Sequence, residues 1–242
     1  MKESLLKILE SKIKGEVHNE KHFKKFYSVD SSSYQIIPQI IVIPINEEDV
    51  IKTIKIAKKY GTSVTVRGAG TGLVGSALNY GIIIDMKKIN SIRINKKSVI
   101  VGSGVLKGKL DMELQKKGKF FPPNPSIGNF CSLGGMLGNN SSGSRSIKYG
   151  STIDNVKEIT FIDGNGKKIT LPKNKQVSKK IFQNIKIDND NIPKTSKNSS
   201  GYQIKKITSE KNTHKIIIGS EGTLGIIISA KLNILDIPKK RI

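Results

Sequence analysis

The sequence predicts a folded chain that mixes helices with strands, and three observations carry that expectation. Short β-branched runs such as Ile40-Ile41-Val42-Ile43 alternate with segments whose apolar residues recur at helical spacing, such as Val50, Ile51, Ile54 and Ala57. Two such runs bracket that helix, giving a βαβ unit whose second strand runs into the glycines of Arg67-Gly68-Ala69-Gly70-Thr71-Gly72. The 242 residues are 36% hydrophobic and 25% charged, enough apolar material for a real core and too balanced a mixture for a disordered chain.

The elements follow in order. Met1 to Gly15 spaces Leu5, Leu6, Ile8, Leu9 and Ile13 between charges, an amphipathic helix without the apolar core or cleavage site of a signal peptide. After the strand Ile40–Ile43, Asn46 is set to cap a helix whose first turn carries Glu47, Glu48 and Asp49, and Gly61 closes it. Strands are expected at Ser63–Val66, Ile82–Ile84 and Ser98–Val101. A helix over Val105–Lys117 ends at Gly118, with Leu106, Leu110 and Leu114 on one face. From Phe121 to Gly150 the periodicity vanishes. An irregular stretch of this length, rich in Gly, Ser and Asn, is read as either functional or disordered, and its small residues would let backbone N–H groups approach a ligand. Glu158–Ile162 and Lys167–Leu171 flank the turn Asp163-Gly164-Asn165-Gly166 as a hairpin. Residues 172–200 read as a weakly ordered, lysine-rich surface insertion. Ile216–Ile218 and Ile226–Ile228 read as buried strands around Gly219-Ser220-Glu221-Gly222-Thr223-Leu224-Gly225. There is no internal repeat.

Forty-two Lys and Arg against nineteen Asp and Glu give a formal net charge of +23. The lysines scatter through every segment, with no RNA-binding aromatic signature or zinc-finger spacing beside them, so compositional drift is preferred to specific nucleic-acid binding. No apolar run approaches the ~18–20 residues that span a bilayer, which leaves at most peripheral membrane association. One cysteine excludes an intrachain disulfide and a ligated iron–sulfur cluster, and a cytoplasmic location is the default expectation.

Gly70-Thr71-Gly72-Leu73-Val74-Gly75 formally matches the G-x-G-x-x-G signature of nicotinamide-binding folds. That mechanism needs the loop to open a helix whose N-terminus holds a pyrophosphate. Only Ser76 to Gly81 separate the last glycine from the next strand, so no crossover helix fits. What remains is a loop that can offer several backbone N–H groups to a diphosphate, or a tight glycine turn with no ligand.

Several motifs together settle more than spacing does. The loop Arg67 to Leu73 is followed by Pro122-Pro123-Asn124-Pro125-Ser126, then Gly134-Gly135-Met136 with Asn139-Asn140-Ser141-Ser142-Gly143, then Lys148-Tyr149-Gly150, then Gly219 to Ile226. In this order the chain resembles the FAD-binding domain of the vanillyl-alcohol-oxidase/p-cresol-methylhydroxylase (PCMH) type, and within it the D-lactate dehydrogenase and glycolate oxidase FAD-subunit branch. The resemblance covers residues 35–235. It implies a two-part α+β fold, with a small N-terminal βαβ subdomain (about 35–89) and a larger mixed-sheet subdomain with helices (90–235), FAD extending between them. Residues 1–34 would form a helical extension and 236–242 a basic tail.

The resemblance also implies the cofactor contacts. Arg67, Gly68, Ala69, Gly70, Thr71 and Gly72 would meet the pyrophosphate; Ser126, Ser132, Gly134, Gly135, Asn139 and Gly143 the diphosphate and ribityl side; Glu221, Gly222, Gly225 and Ile226 would form the last contact segment. Thr71 stands where flavinylated relatives carry a linking His, so non-covalent FAD is expected. Met136 and Asn124 depart from the family's common Asn and Asp. No residue is assigned a catalytic role and no metal is expected. His18, His22 and His214 sit in no motif; Cys131 reads as a small buried side chain beside the ligand; Arg145 and Tyr149 either contact FAD or brace their loop.

The implied activity is FAD-dependent oxidation of a 2-hydroxy acid such as D-lactate or glycolate. In the family a C-terminal cap supplies the substrate-orienting residues, and the sequence given ends at Ile242, just after the last FAD motif. The expectations are therefore a subunit that works with a separate cap-domain or electron-acceptor chain, a truncated product, or a catalytically incomplete FAD-binding module.

Overall fold

The computed structural model describes residues 4–185, 198 and 201–238. Helix α1 (Leu5–Lys12), strand β1 (Glu16–His18) and helix α2 (Lys21–Tyr27) precede β2 (Ile40–Ile43), α3 (Glu47–Tyr60), β3 (Val64–Arg67) and β4 (Ile82–Asp85). The four strands form one sheet in the order β1-β2-β4-β3. β4 runs parallel to both β2 and β3, pairing Ile82 with Ile40 and Asp85 with Arg67, while β1 lies antiparallel on β2.

Helix α3 forms where its caps dictate. The Asn46 side chain accepts the Asp49 N–H at 3.0 Å, three carboxylates occupy the first turn, and Gly61 closes the helix at φ +64°. Asp49 does a second job. Its buried carboxylate accepts the N–H groups of Lys14, Gly15 and Ile45 at 2.9, 3.0 and 3.2 Å, fixing α1 and β1 to α3. Leu9 of α1 is fully buried with Val50 and Ala57. The N-terminal segment is thus more than the helical extension expected, because β1 is an edge strand of the first sheet. Three residues are too few to show a period of two.

The chain continues through β5 (Ile92–Ile94), β6 (Ser98–Gly102), α4 (Lys107–Gln115), β7 (Lys119–Phe120), α5 (Leu133–Gly138) and α6 (Ser146–Tyr149). It then forms β8 (Val156–Ile162), β9 (Lys168–Leu171), α7 (Lys175–Asn184), β10 (Ile226–Asn233) and β11 (Leu235–Asp236). The second sheet is wholly antiparallel in the order β5-β6-β10-β8-β9, and β7 pairs with β11. β10 alternates its side chains between two cores. Ile226 and Ile228 join the apolar cluster of the first sheet and Ile227 the cluster beneath α4 and α5; a register shift between Ile227 and Ser229 then resets the phase, so that Ala230 and Leu232 join Ile227's cluster. The result is an α+β fold.

Four expectations need correction. The helix expected from Val105 begins only at Lys107, because Leu106 pairs with Ser132 in an extended bridge and the Val105 carbonyl accepts the Leu133 N–H at 2.8 Å. Leu106 is therefore 41% exposed while Leu110 and Leu114 are buried. The stretch from Phe121 to Gly150 holds α5 and α6; the helix α5 is hidden by its sequence Leu-Gly-Gly-Met-Leu-Gly, whose glycines disfavour helix. Ile216–Ile218 is no strand. It closes a 3₁₀ stretch, Glu210–Ile216, capped by Ser209, and a three-residue apolar run suits either state. The insertion expected at 172–200 opens with α7, whose Ser178 hydroxyl meets that of Thr213 at 3.0 Å; residues 186–197, 199 and 200 lie outside the described ones, as do 239–242 of the basic tail.

Candidate functional site

An open cleft is lined from both sheets. Three loops supply most of its lining. The first, after β3, contributes Gly68 to Gly72 with Ser76 and Ala77. The second brings Pro125, Ile127, Cys131, Ser132, Gly134, Gly135, Met136, Gly138, Asn139 and Ser141. The third, before β10, brings Glu221, Gly222 and Gly225. Val66, Met86, Ser103 and Ile227 complete it.

The first loop has no helix anywhere between β3 and β4. Among the described residues, no backbone N–H of Ala69, Gly70, Thr71 or Gly72 donates to a protein acceptor. The loop is anchored through a carbonyl instead, with Gly70 accepting from the N–H and the hydroxyl of Ser31 at 3.1 and 3.3 Å. At Gly68 the approach to α5 is so close that a Cβ would stand 2.0 Å from Ser132 Oγ. That oxygen caps α5 by accepting the Gly135 N–H at 3.1 Å.

Among the described residues, no lysine or arginine lines the cleft. Arg67 lies behind the loop, 8% exposed, with its guanidinium 5.4 Å over the Tyr27 ring. A Cβ on Gly70 would stand 2.4 Å from its Nη2, so the guanidinium props the loop from beneath. Tyr27 donates to Asp85 at 2.6 Å, and burial together with that bond pushes its phenol above the ordinary range. Burial lowers the Arg67 pKa, opposed by Asp85, Tyr27 and Asp30.

Of the residues expected at the cofactor, Gly68, Ala69, Gly70, Thr71, Gly72, Ser132, Gly134, Gly135, Asn139, Glu221, Gly222 and Gly225 come together around the cleft. Arg67, Ser126, Gly143 and Ile226 are not in its lining. Ser126 is exposed between Pro125 and Ile127, and Ile226 packs into the first sheet's core while Ile227 lines the cleft. Arg145 and Tyr149 are not in the lining either; they pack on Phe120, at 5.5 Å over its ring and edge-on at 5.6 Å. Cys131 is buried in the cleft wall and burial pushes its thiol up, away from nucleophilic character. His18 stacks on Phe23, and His214 is buried against the Val156 carbonyl at 3.1 Å. Sequence reasoning missed Val66, Met86 and Ser103. Only Ser103, between Gly102 and Gly104 at a strand end, carried a signal that could have found it.

Unpaired amides on one wall, hydroxyls and amides on another, and two packed sheets behind them define a domain that holds an extended anionic dinucleotide without a nucleotide-binding helix. A family model described as an FAD binding domain matches residues 38–172, and the chain belongs to that family, with FAD as its cofactor. The D-2-hydroxyglutarate dehydrogenase of Escherichia coli K12 is 33% identical over 244 residues, which covers 88% of this chain and 24% of that protein. The D-lactate dehydrogenase of Anaerostipes hadrus is 32% identical over 207 residues, covering 84% of this chain and 37% of that protein. A glycolate oxidase subunit of Bacillus subtilis is 27% identical, covering 89% and 41%. The chain thus spans from 24% to 41% of the length of these relatives.

The fold is shared with solved structures. Alkyldihydroxyacetonephosphate synthase superposes with a TM-score of 0.74 at 22% identity, over 98% of this chain and 44% of that one. The 6-hydroxy-D-nicotine oxidase of Arthrobacter nicotinovorans gives 0.72 at 20% identity, over 98% and 44%. The residues present fit FAD: the free amides of Ala69 to Gly72 suit its diphosphate, and Ser132, Asn139 and Ser141 offer polar groups to its sugar alcohol. Among the described residues no helix is long and apolar enough to cross a membrane, and no cluster of side chains could hold a metal.

Proposed function

We propose that this chain is the FAD-binding part of a dehydrogenase that oxidises a 2-hydroxy acid such as D-lactate, glycolate or D-2-hydroxyglutarate. When bound, FAD supplies the hydride acceptor at flavin N5. The chain's residues hold and orient it: the amides of Ala69 to Gly72 take the diphosphate, and the glycines of the three loops allow the backbone to close around it. The substrate-facing side comes from a cap domain or a separate chain, with a further partner accepting the electrons. A cytoplasmic setting is part of this reading and rests on the single cysteine.

The observation that carries the proposal is an anion-fitting cleft in a chain whose relatives include two named hydroxy-acid dehydrogenases. One observation favours a second reading, that of an FAD-holding module without turnover of its own. None of the three histidines lines the cleft, and among the described residues Glu221 is the only carboxylate that does.

The test is direct. The purified protein should be yellow, or turn yellow when soaked in FAD; a colourless protein that takes up no flavin would sink both readings. Anaerobic addition of D-lactate, glycolate or D-2-hydroxyglutarate should bleach the bound flavin. Binding without bleaching, by this chain alone and after adding a cap-bearing partner, would leave only the module.

A further inference from the structure

Ser103 stands one residue beyond β6, between two glycines that tolerate no side chain. A Cβ on Gly102 would lie 2.2 Å from the Ile89 carbonyl oxygen, and one on Gly104 would lie 2.0 Å from that of Met86. At Ser103 alone is there a side chain, and it is a hydroxyl. Its backbone is locked from two directions: the N–H donates to the Ile228 carbonyl at 2.9 Å and the carbonyl accepts the Gly134 N–H at 2.8 Å. The residue is only 3% exposed, yet it lines the cleft. Among the described residues, its Oγ has no hydrogen-bond partner.

A buried hydroxyl without a partner is unfavourable, and native folds rarely keep one without a reason. Ser132 makes the contrast. It lines the same cleft, but its Oγ already has a structural partner, accepting the Gly135 N–H as the cap of α5. No structural job of that kind is visible for Ser103 Oγ. The residue it belongs to lines the cleft, and FAD offers both donors and acceptors for a hydroxyl to meet.

We propose that Ser103 is a cofactor-binding residue, its hydroxyl held unpaired by the fold so that it can hydrogen-bond bound FAD. This rests on the assignment of the cleft to FAD. It assigns a binding role to a residue outside every motif of the three glycine-rich loops.

Because the hydroxyl is unsatisfied until the cofactor arrives, its removal acts in opposite directions on the two states. In Ser103→Ala the flavin-free protein should melt at the same temperature as the parent or higher, while FAD titrated by fluorescence quenching should bind roughly fivefold more weakly. Ser132→Ala serves as the structural contrast, since loss of its cap should lower the melting temperature of the flavin-free protein. Equal FAD affinity in Ser103→Ala and parent would overturn the proposal. So would a fall in flavin-free melting temperature matching that of Ser132→Ala, because the hydroxyl would then be bracing the fold. Failure of the parent itself to bind FAD is a separate outcome that overturns the cofactor assignment beneath it.

Discussion

Gly68 is the narrowest point between the first loop and α5. A methyl group there would overlap the oxygen that caps the helix, at 2.0 Å. Either Ser132 gives up its cap or the loop shifts out of register with the cleft. Gly68→Ala should therefore cost about 1–3 kcal/mol in stability, measured by denaturant unfolding, and weaken FAD binding. Unchanged values for both would mean that the loop and helix have slack the geometry does not show. Glycines and small polar residues left this contact legible in the letters, since they mark where backbone comes close. Side-chain direction was not legible. Motif membership brings Ser126 and Ile226 near the ligand, but their immediate neighbours Pro125, Ile127 and Ile227 are the ones that line it. Val66, Met86 and Ser103 come from strand ends far apart in sequence, and only the pairing of strands brings them together.

Among the elements, α3 was the easiest to read because its cap, acidic first turn and closing glycine agree with one another. α5 was the hardest. A local cap from Ser132 and a tertiary bond from the Gly134 N–H to Ser103 offset the poor intrinsic preference of its glycines. The ties between elements were equally invisible in sequence. Asp49 looks like an ordinary first-turn carboxylate, but three N–H groups from two other segments converge on it. Replacing it by alanine strands those donors in a part-buried site. Asp49→Ala should lower stability by about 2–4 kcal/mol. In hydrogen exchange α1 and β1 should lose protection first, and uniform loss of protection across both sheets would argue against this local role.

Across the whole molecule, the charge of +23 and the cleft are separate matters, since among the described residues no cation lines the cleft. Acid sensitivity has a more definite source. Burial holds the His214 pKa down to about 4 from an ordinary 6.5. The unfolded chain binds this proton near pH 6.5 and the folded one only near 4, so protonation favours unfolding. The stability this neutral histidine carries is complete above about pH 6.5 and is lost as the pH falls toward 4, by up to about 3 kcal/mol. Unfolding midpoints at pH 7 and pH 5 should differ in the parent and converge in His214→Gln; an undiminished difference in that variant would assign the effect elsewhere. The placement of side chains along β10 bears on how firmly the walls of the cleft are joined. Ile226 and Ile228 are anchored in one core and Ile227 in the other, so a single strand stitches the two walls together. Parting them like jaws would drag buried isoleucines into water. The two walls of the cleft are therefore one packed unit tied through β10, and their spacing belongs to the fold itself.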